Sequence, residues 1–283
     1  MKYNNKSYNI NISGKILDLK TPALLGILNV TPDSFFDGGL YQNLNAVLKR
    51  AEQIINEGAE MIDIGGYSSR PNAEDISIEE EKKRVLPAIE AILKEFPEAI
   101  ISIDTFRSEV ALAAVNTGAK IINDVSGGNL DSQMFEVVSM LKVPYIMMHM
   151  RGTPQTMTQL NQYNDLIIDI YQELQAKVKK LRDLGVADII IDLGFGFAKN
   201  IRQNFFLLNH LDYFQKLDLP ILVGVSRKSM IHKTLGIDSA DALNGTTALN
   251  TVALLKGANM LRVHDVKAAR ETIKLYLALT ADI

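Results

Sequence analysis

Eight times between Ala23 and Arg262 a short apolar block runs into a polar residue, and a segment with helical punctuation follows. The blocks are residues 23–28 ending at Asn29, 60–62 at Asp63, 100–103 at Asp104, 120–122 at Asn123, 144–148 at His149, 188–191 at Asp192, 220–225 at Ser226 and 258–261 at Arg262. Short apolar runs without polar alternation read as strands buried on both faces, the habit of parallel sheets. Parallel neighbours need a crossover, and the intervening segments supply one. Ser77-Ile78-Glu79-Glu80 is a capping box, Gly58, Gly118 and Gly185 stand where helices should stop, and residues 164–184 are long and amphipathic. Eight βα units with no break in composition predict an α/β fold, a single (β/α)8 TIM barrel over residues 1–283 rather than two doubly wound domains. Ahead of it, residues 8–12 alternate apolar and polar, Ser13-Gly14 is a turn signal, and 16–19 follow. That is a β-hairpin within residues 1–20.

Composition narrows the function classes. Hydrophobic residues make up 47% and charged ones 22%, so a sizeable core is expected and disorder is excluded for the bulk of the chain. The net charge of −3, without a long run of either sign, argues against nucleic acid as a partner. There is no cysteine, which removes disulfides, thiolate metal sites and cysteine nucleophiles together. Neither a signal peptide nor a membrane span is visible, and a soluble cytoplasmic protein with no membrane partner is expected. Two long connections, 31–41 and 65–76, are rich in Gly, Pro, Ser and Asp and follow the first two barrel strands, where lids and binding loops rise.

In a barrel, strand-end side chains converge on one funnel. Here they are Asn29, Asp63, Asp104, Asn123, His149, Asp192, Ser226, Lys228, Arg262 and His264. Helix capping explains single carboxylates, such as Asp104 before a helix near Phe106, or Asp265 before the last helix. It does not explain Lys, Arg and His at the same ends, so the set marks a site. Gly224-Val225-Ser226-Arg227-Lys228-Ser229 and Arg262-Val263-His264 follow the seventh and eighth strands, where barrels bind phosphate. Asp104 and Asp192 suit a flat heterocycle that presents an amino group beside a ring N–H, with Asn123 reading the adjacent edge; they could equally form an acid/base pair. Lys228 admits a Schiff-base role as in barrel aldolases. Gly194-Phe195-Gly196-Phe197-Ala198-Lys199 lacks the third glycine of a dinucleotide fingerprint. Four scattered histidines with no thiolates argue against zinc; any metal would be a hard, oxygen-ligated ion such as Mg2+.

From about Leu24 to Lys267 the motifs resemble those of the dihydropteroate synthase family of the folate pathway. The matching stretches are Gly26-Ile27-Leu28-Asn29-Val30-Thr31-Pro32-Asp33-Ser34-Phe35, Asp63-Ile64-Gly65-Gly66-Tyr67-Ser68-Ser69-Arg70-Pro71, Ser102-Ile103-Asp104-Thr105, Ile122-Asn123-Asp124-Val125, Met148-His149-Met150, Asp192-Leu193-Gly194-Phe195-Gly196-Phe197, Ser226-Arg227-Lys228-Ser229 and Arg262-Val263-His264-Asp265-Val266.

The resemblance implies a pterin-binding barrel that condenses 6-hydroxymethyl-7,8-dihydropterin pyrophosphate with para-aminobenzoate, giving 7,8-dihydropteroate and pyrophosphate. It implies that Asn29 is the protein ligand of Mg2+ and that Ser69, Arg262 and His264, with Val263 between them, hold the pyrophosphate. Asp104, Asn123, Asp192 and Lys228 would hold the pterin, with Met148 and Phe197 lining its slot. Phe35, Arg70 and Pro71 would build the aminobenzoate pocket, and the helix start at Ser229 would take its carboxylate. Asp104, Asp192, Lys228, Arg262 and His264 would carry the catalysis, in which stabilisation of the leaving group's charge by Mg2+ and the cations is the main effect. A homodimer is implied as well. Tyr67 stands where the family usually has Glu, Asn72 and Ala198 where Gly is common, Leu193 where Pro is common, and Ser69 for the commoner Thr. Two other readings are a pterin-dependent methyltransferase of the same superfamily, which should lack the Ser226-Arg227-Lys228 and Arg262-x-His264 set, and an inactive pterin-binding paralogue, which should have lost Asn29, an aspartate or Lys228.

Overall fold

The computed structural model describes residues 6–31, 40–68 and 75–281. It begins with the hairpin of β1 (Asn9–Ile12) and β2 (Lys15–Asp18), paired Asn9 to Asp18 and Ile12 to Lys15. Ser13 and Gly14 both take positive φ, 53° and 87°, the backbone that a tight two-residue hairpin turn requires.

Eight parallel strands then close a barrel: β3 (Ala23–Asn29), β4 (Met61–Gly65), β5 (Ile101–Asp104), β6 (Ile121–Asp124), β7 (Tyr145–Met148), β8 (Ile189–Asp192), β9 (Ile221–Val223) and β10 (Met260–Val263). They pair in chain order, and β10 pairs with β3 to complete the circle. The helices that connect them are α1 (Leu40–Asn56), α2 (Ile78–Glu95), α3 (Ser108–Thr117), α4 (Met134–Leu141), α5 (Leu166–Asp183), α6 (Ile201–Asn209), α7 (Ser229–Leu235), α8 (Leu243–Leu255) and α9 (Val266–Thr280). The Ser77 hydroxyl caps α2 by accepting the Glu80 N–H at 3.1 Å, and Asp165 caps α5 through the N–H groups of Ile167 and Ile168. Gly58, Gly118 and Gly185 end α1, α3 and α5 as the punctuation predicts.

The period-2 alternation of a strand divides the residues between lumen and helix layer. Ile62, Ile64, Ile101, Ile103, Ile122, Ile191, Val223 and Leu261 point outward into the large core beneath the helices. Leu25, Met61, Ile121, Ile146, Ile190, Leu222 and Met260 point inward and form a second core with Ile10, Ile12 and Leu19 of the hairpin segment. The hairpin thus stoppers the barrel at the N-terminal ends of its strands. Two residues further along, the inward positions turn polar: Asp63, Asn123, Asp192 and Arg262. Polar groups buried at that level must find partners there or a ligand.

Candidate active site

Arg262 is the hub of the polar layer. Its Nε donates to Asp63 Oδ2 at 2.6 Å and an Nη2 hydrogen goes to Asp104 Oδ2 at 2.6 Å, so one guanidinium ties β4, β5 and β10 together. The two carboxylates push its pKa further up, and it is a permanent cation. Asp63 Oδ2 also accepts from Asn123 Nδ2 at 3.0 Å, which orients that amide on β6. Burial pushes the Asp104 carboxyl up to about 7 against the pull of Arg262, with Asp63 adding repulsion. The carboxylate of Asp104 therefore pairs with Arg262 and does not cap a helix; α3 starts later, at Ser108.

Across the funnel, Asp192 Oδ1 accepts the Gly194 N–H at 2.7 Å, and burial raises its pKa while Lys228 opposes that rise. Lys228, at the N-cap position of α7, hydrogen-bonds the Phe195 carbonyl through Nζ. The same ammonium lies 4.8 Å from the centre of the Phe197 ring, a cation–π contact. Burial lowers its pKa to about 8, the neighbouring Asp192 holding it up. Met148, Phe197, Val125, Met150 and Ala198 form a small apolar cluster at this end, separate from both cores. A flat ring system placed between that wall and the polar hub meets carboxylates, an amide and an ammonium at its edge.

His264 lies two residues beyond Arg262. Ser226 Oγ accepts the His264 backbone N–H at 3.2 Å and sits 2.9 Å from Nδ1. Ser226 is buried, and among the described residues Nδ1 is the acceptor within reach of its hydroxyl hydrogen. Hydrogen-bond accounting therefore assigns the ring proton to Nε2. Burial and the Arg262 charge lower the His264 pKa to about 4, so the ring is a neutral N–H donor at neutral pH. Arg227, whose φ is 56°, turns away from the funnel and binds Asp265 with two N–H groups at 2.9 and 2.8 Å. Asp265 spends its carboxylate there and makes no cap bond to α9.

Two sequence expectations need correction by strand parity. His149 does not join the funnel: it is buried on the helix side, with Nε2 3.0 Å from Glu173 of α5 and Nδ1 3.1 Å from Lys199. Val263, between Arg262 and His264, likewise packs its side chain into the helix-layer core, so it offers a ligand no side-chain contact from inside the funnel. Asp63 lies two residues before the end of β4 instead of at its end, and is fully buried. Ser229 opens α7, as its place in the motif suggests. Phe35, Ser69, Arg70 and Pro71 fall outside the described residues. Tyr67 does not leave its loop unanchored: its hydroxyl accepts from Gln155 Nε2 at 3.1 Å, and its ring packs edge-on against Phe106 with centroids 5.0 Å apart. Sequence reasoning missed Lys199, which is buried beneath the 194–198 turn. The paired glycines there, both at positive φ, were the available signal.

A closed parallel barrel whose C-terminal end combines an anion-binding rim with a carboxylate-lined slot is an enzyme for a flat heterocycle bearing an anionic group. Residues 25–264 match the family model of the pterin binding enzymes. The dihydropteroate synthase of Escherichia coli is 40% identical over 264 residues, covering 93% of each chain, and that of Synechocystis 44% over 263 residues, covering 92% of this chain and 91% of the relative. The structure of Yersinia pestis dihydropteroate synthase with a sulfonamide drug complex superposes with a TM-score of 0.90 at 38% identity, covering 96% of this chain and 99% of that one. The Xanthomonas albilineans dihydropteroate synthase with 4-aminobenzoic acid gives 0.91 at 36% identity, covering 98% and 100%. The chain belongs to the dihydropteroate synthase family of pterin binding enzymes.

Proposed function

We propose that the chain is a transferase that joins 6-hydroxymethyl-7,8-dihydropterin pyrophosphate to para-aminobenzoate, releasing pyrophosphate and 7,8-dihydropteroate in folate biosynthesis. The observation that carries this reading is the convergence of Asp104, Asn123, Asp192 and Lys228 on one slot beside Arg262 and His264. The methylene C–O bond breaks with its electron pair leaving on pyrophosphate, and the arylamine nitrogen forms the new C–N bond and gives up a proton. Asp104, Asp192 and Asn123 read the amino and ring N–H edge of the pterin, and Lys228 serves as a donor to its oxygen or ring nitrogen. Arg262 and the Nε2–H of His264 bind the leaving diphosphate, where charge develops.

Asn29 fits a role beside a hard cation. A Cβ on Gly65 would lie 3.6 Å from Asn29 Oδ1 and 3.5 Å from Asp104 Oδ2, so the glycine keeps open the space both oxygens border. Among the described residues no group of three or more His, Asp or Glu could hold a metal alone. A single amide oxygen shared with the diphosphate and water is the ligand set Mg2+ accepts, and when bound it supplies charge neutralisation on the leaving group. Mixing both substrates with Mg2+ tests the reading: pyrophosphate release that needs para-aminobenzoate supports it, and none refutes it.

Two further parts of the reading are a homodimer and a cytoplasmic location. Leu275 and Leu279, four residues apart on one face of α9, are exposed, an apolar strip that a second copy could cover. Sedimentation at twice the chain mass supports the dimer. No described helix is long and apolar enough to cross a membrane, and cell fractionation tests the location.

A further inference from the structure

We propose that Lys199, which lies behind the funnel and reaches no substrate, is the positioning residue that holds Asp192 and Lys228 in register for the pterin. The inference rests on the pterin reading of the slot. Residues 194–199 form a turn with positive φ at Gly194 (68°), Gly196 (83°) and Ala198 (49°), and both faces of that turn carry a lysine. On the funnel face, Gly194 N–H binds Asp192, the Phe195 carbonyl accepts from Lys228, and the Phe197 ring lies beneath the same ammonium. A Cβ on Gly196 would come within 3.2 Å of Lys228 Cδ, so the turn and the lysine are in close contact.

On the opposite face Lys199 Nζ donates to the Gly194 carbonyl at 3.0 Å, the Phe197 carbonyl at 3.0 Å and His149 Nδ1 at 3.1 Å. An ammonium has three hydrogens, and three acceptors take them. Two of those acceptors are the carbonyls of the residues whose N–H and ring face Asp192 and Lys228. A shift of Lys199 is therefore a shift of the turn. Gly194 has no room to relax independently, since a Cβ there would sit 2.0 Å from the His149 carbonyl.

The third acceptor is itself held. His149 Nε2–H donates to Glu173 Oε2 at 3.0 Å, and Glu173 Oε1 accepts from Arg151 Nε at 3.0 Å. Burial lowers the His149 pKa to about 3, so the ring stays neutral and Nδ1 keeps a lone pair for Lys199. The charged groups that act on Lys199 are Asp192 of β8, Lys228 at the start of α7, Glu173 of α5 and Arg151 of the β7–α5 connection. Burial brings its own pKa down to about 7, against the pull of Asp192 and Glu173. A buried cation with a depressed pKa and no ligand to bind is retained at a cost in stability. Setting the turn accounts for it.

The experiment compares two ligands in calorimetry: 6-hydroxymethylpterin, which lacks the diphosphate, and magnesium pyrophosphate. Lys199→Met is expected to weaken the pterin about tenfold or more and magnesium pyrophosphate less than about threefold. Lys199→Gln, which keeps N–H donors, is expected to recover part of the pterin affinity, and it carries the same comparison should the Met variant fail to fold. In a Lys228→Ala background the Lys199→Met effect on pterin binding should shrink by at least about threefold, because the part that passes through Lys228 is gone while the part that passes through Asp192 remains. Equal losses for both ligands, or penalties that simply multiply in the double variant, overturn the proposal. A wild-type protein that binds no pterin would instead overturn the functional reading, and this inference with it.

Discussion

Asp63→Asn isolates the work of a residue that no substrate is expected to touch. Asp63 is fully buried, and one of its oxygens accepts from both Arg262 Nε at 2.6 Å and Asn123 Nδ2 at 3.0 Å. An asparagine of the same shape can keep its amide oxygen in that place and aim its NH2 toward the Ser102 side of the lumen. Ser102 pairs in register with Asp63, and its Oγ has no partner among the described residues, nor does Asp63 Oδ1. The fold should therefore tolerate the change. What is lost is charge: hydrogen bonds to charged groups contribute about 1.5–3 kcal/mol and neutral ones about 0.5–1.5. The Asn123 bond becomes a neutral one, and the Arg262 bond, still charged through the guanidinium, loses its ion pair; together these changes amount to about 2 kcal/mol, or roughly 30-fold in kcat/KM at about 1.4 kcal/mol per tenfold. The assay is pyrophosphate release under initial-rate conditions, with urea unfolding run in parallel. A kcat/KM within threefold of wild type, in a variant whose Arg262→Ala counterpart is inactive, would refute the claim that Asp63 orients the hub.

Asp192→Asn should weaken binding of a pterin without diphosphate by about 10–150-fold, since one of two paired acceptors becomes a donor, while leaving magnesium pyrophosphate affinity nearly unchanged; calorimetry separates the two. Borohydride treatment in the presence of substrate should leave the protein mass unaltered, because Lys228 binds a backbone carbonyl and faces Asp192 as an ammonium rather than lying free as a nucleophile; a trapped adduct on Lys228 would revive the aldolase reading. Nitrogen-15 spectra at pH 7 should show a neutral His264 protonated on Nε2, and Ser226→Ala should populate the other tautomer. Since burial lowers the His264 pKa from 6.5 to about 4, its contribution to stability is complete above about pH 6.5 and is lost as the pH falls through 4; His264→Gln should flatten that limb of the pH–stability curve.

The barrel was legible because each strand is a solid apolar block, and the hairpin because alternation and a Ser-Gly turn coincide. The funnel was legible where a polar residue replaces an apolar one at an inward position, as at Asp104, Asn123, Asp192 and Arg262. Parity was the missing knowledge. His149 and Val263 sit one residue from inward neighbours, Met148 and Arg262, and a strand turns such neighbours to opposite faces. The two glycines after Asp63 look like loop and suggest a strand end there, whereas β4 runs on to Gly65. Lys199 follows a motif without the third glycine of a dinucleotide fingerprint, and the sequence does not single it out, because the turn's glycines serve backbone curvature at Gly194 and Gly196. Ala198 shares that left-handed backbone, which explains why glycine is the commoner residue there.

The charges of the funnel also account for the expected metal requirement. Three carboxylates, Asp63, Asp104 and Asp192, face two cations, Arg262 and Lys228, and Arg262 is engaged by two of the three. Among the described residues this polar hub therefore offers a diphosphate ester no net positive charge, and the nearby Arg50 is tied to the His264 carbonyl. Unit charges about 6 Å apart interact by roughly 2–3 kcal/mol at an effective dielectric constant of about 20, so one unbalanced carboxylate is enough to decide affinity. Removing divalent cations with a chelator should weaken pyrophosphate binding by about 10-fold to 100-fold. Asp104→Asn removes one negative charge and releases Arg262 from a partner, so metal-free pyrophosphate should bind this variant more tightly than wild type. The raised Asp104 pKa gives the same sign: below about pH 7 the carboxyl is protonated, and the repulsion it exerts is gone. Metal-free binding as tight as metal-bound in the wild type, or weaker metal-free binding in Asp104→Asn, would show that the positive charge for the leaving group is already built into the chain.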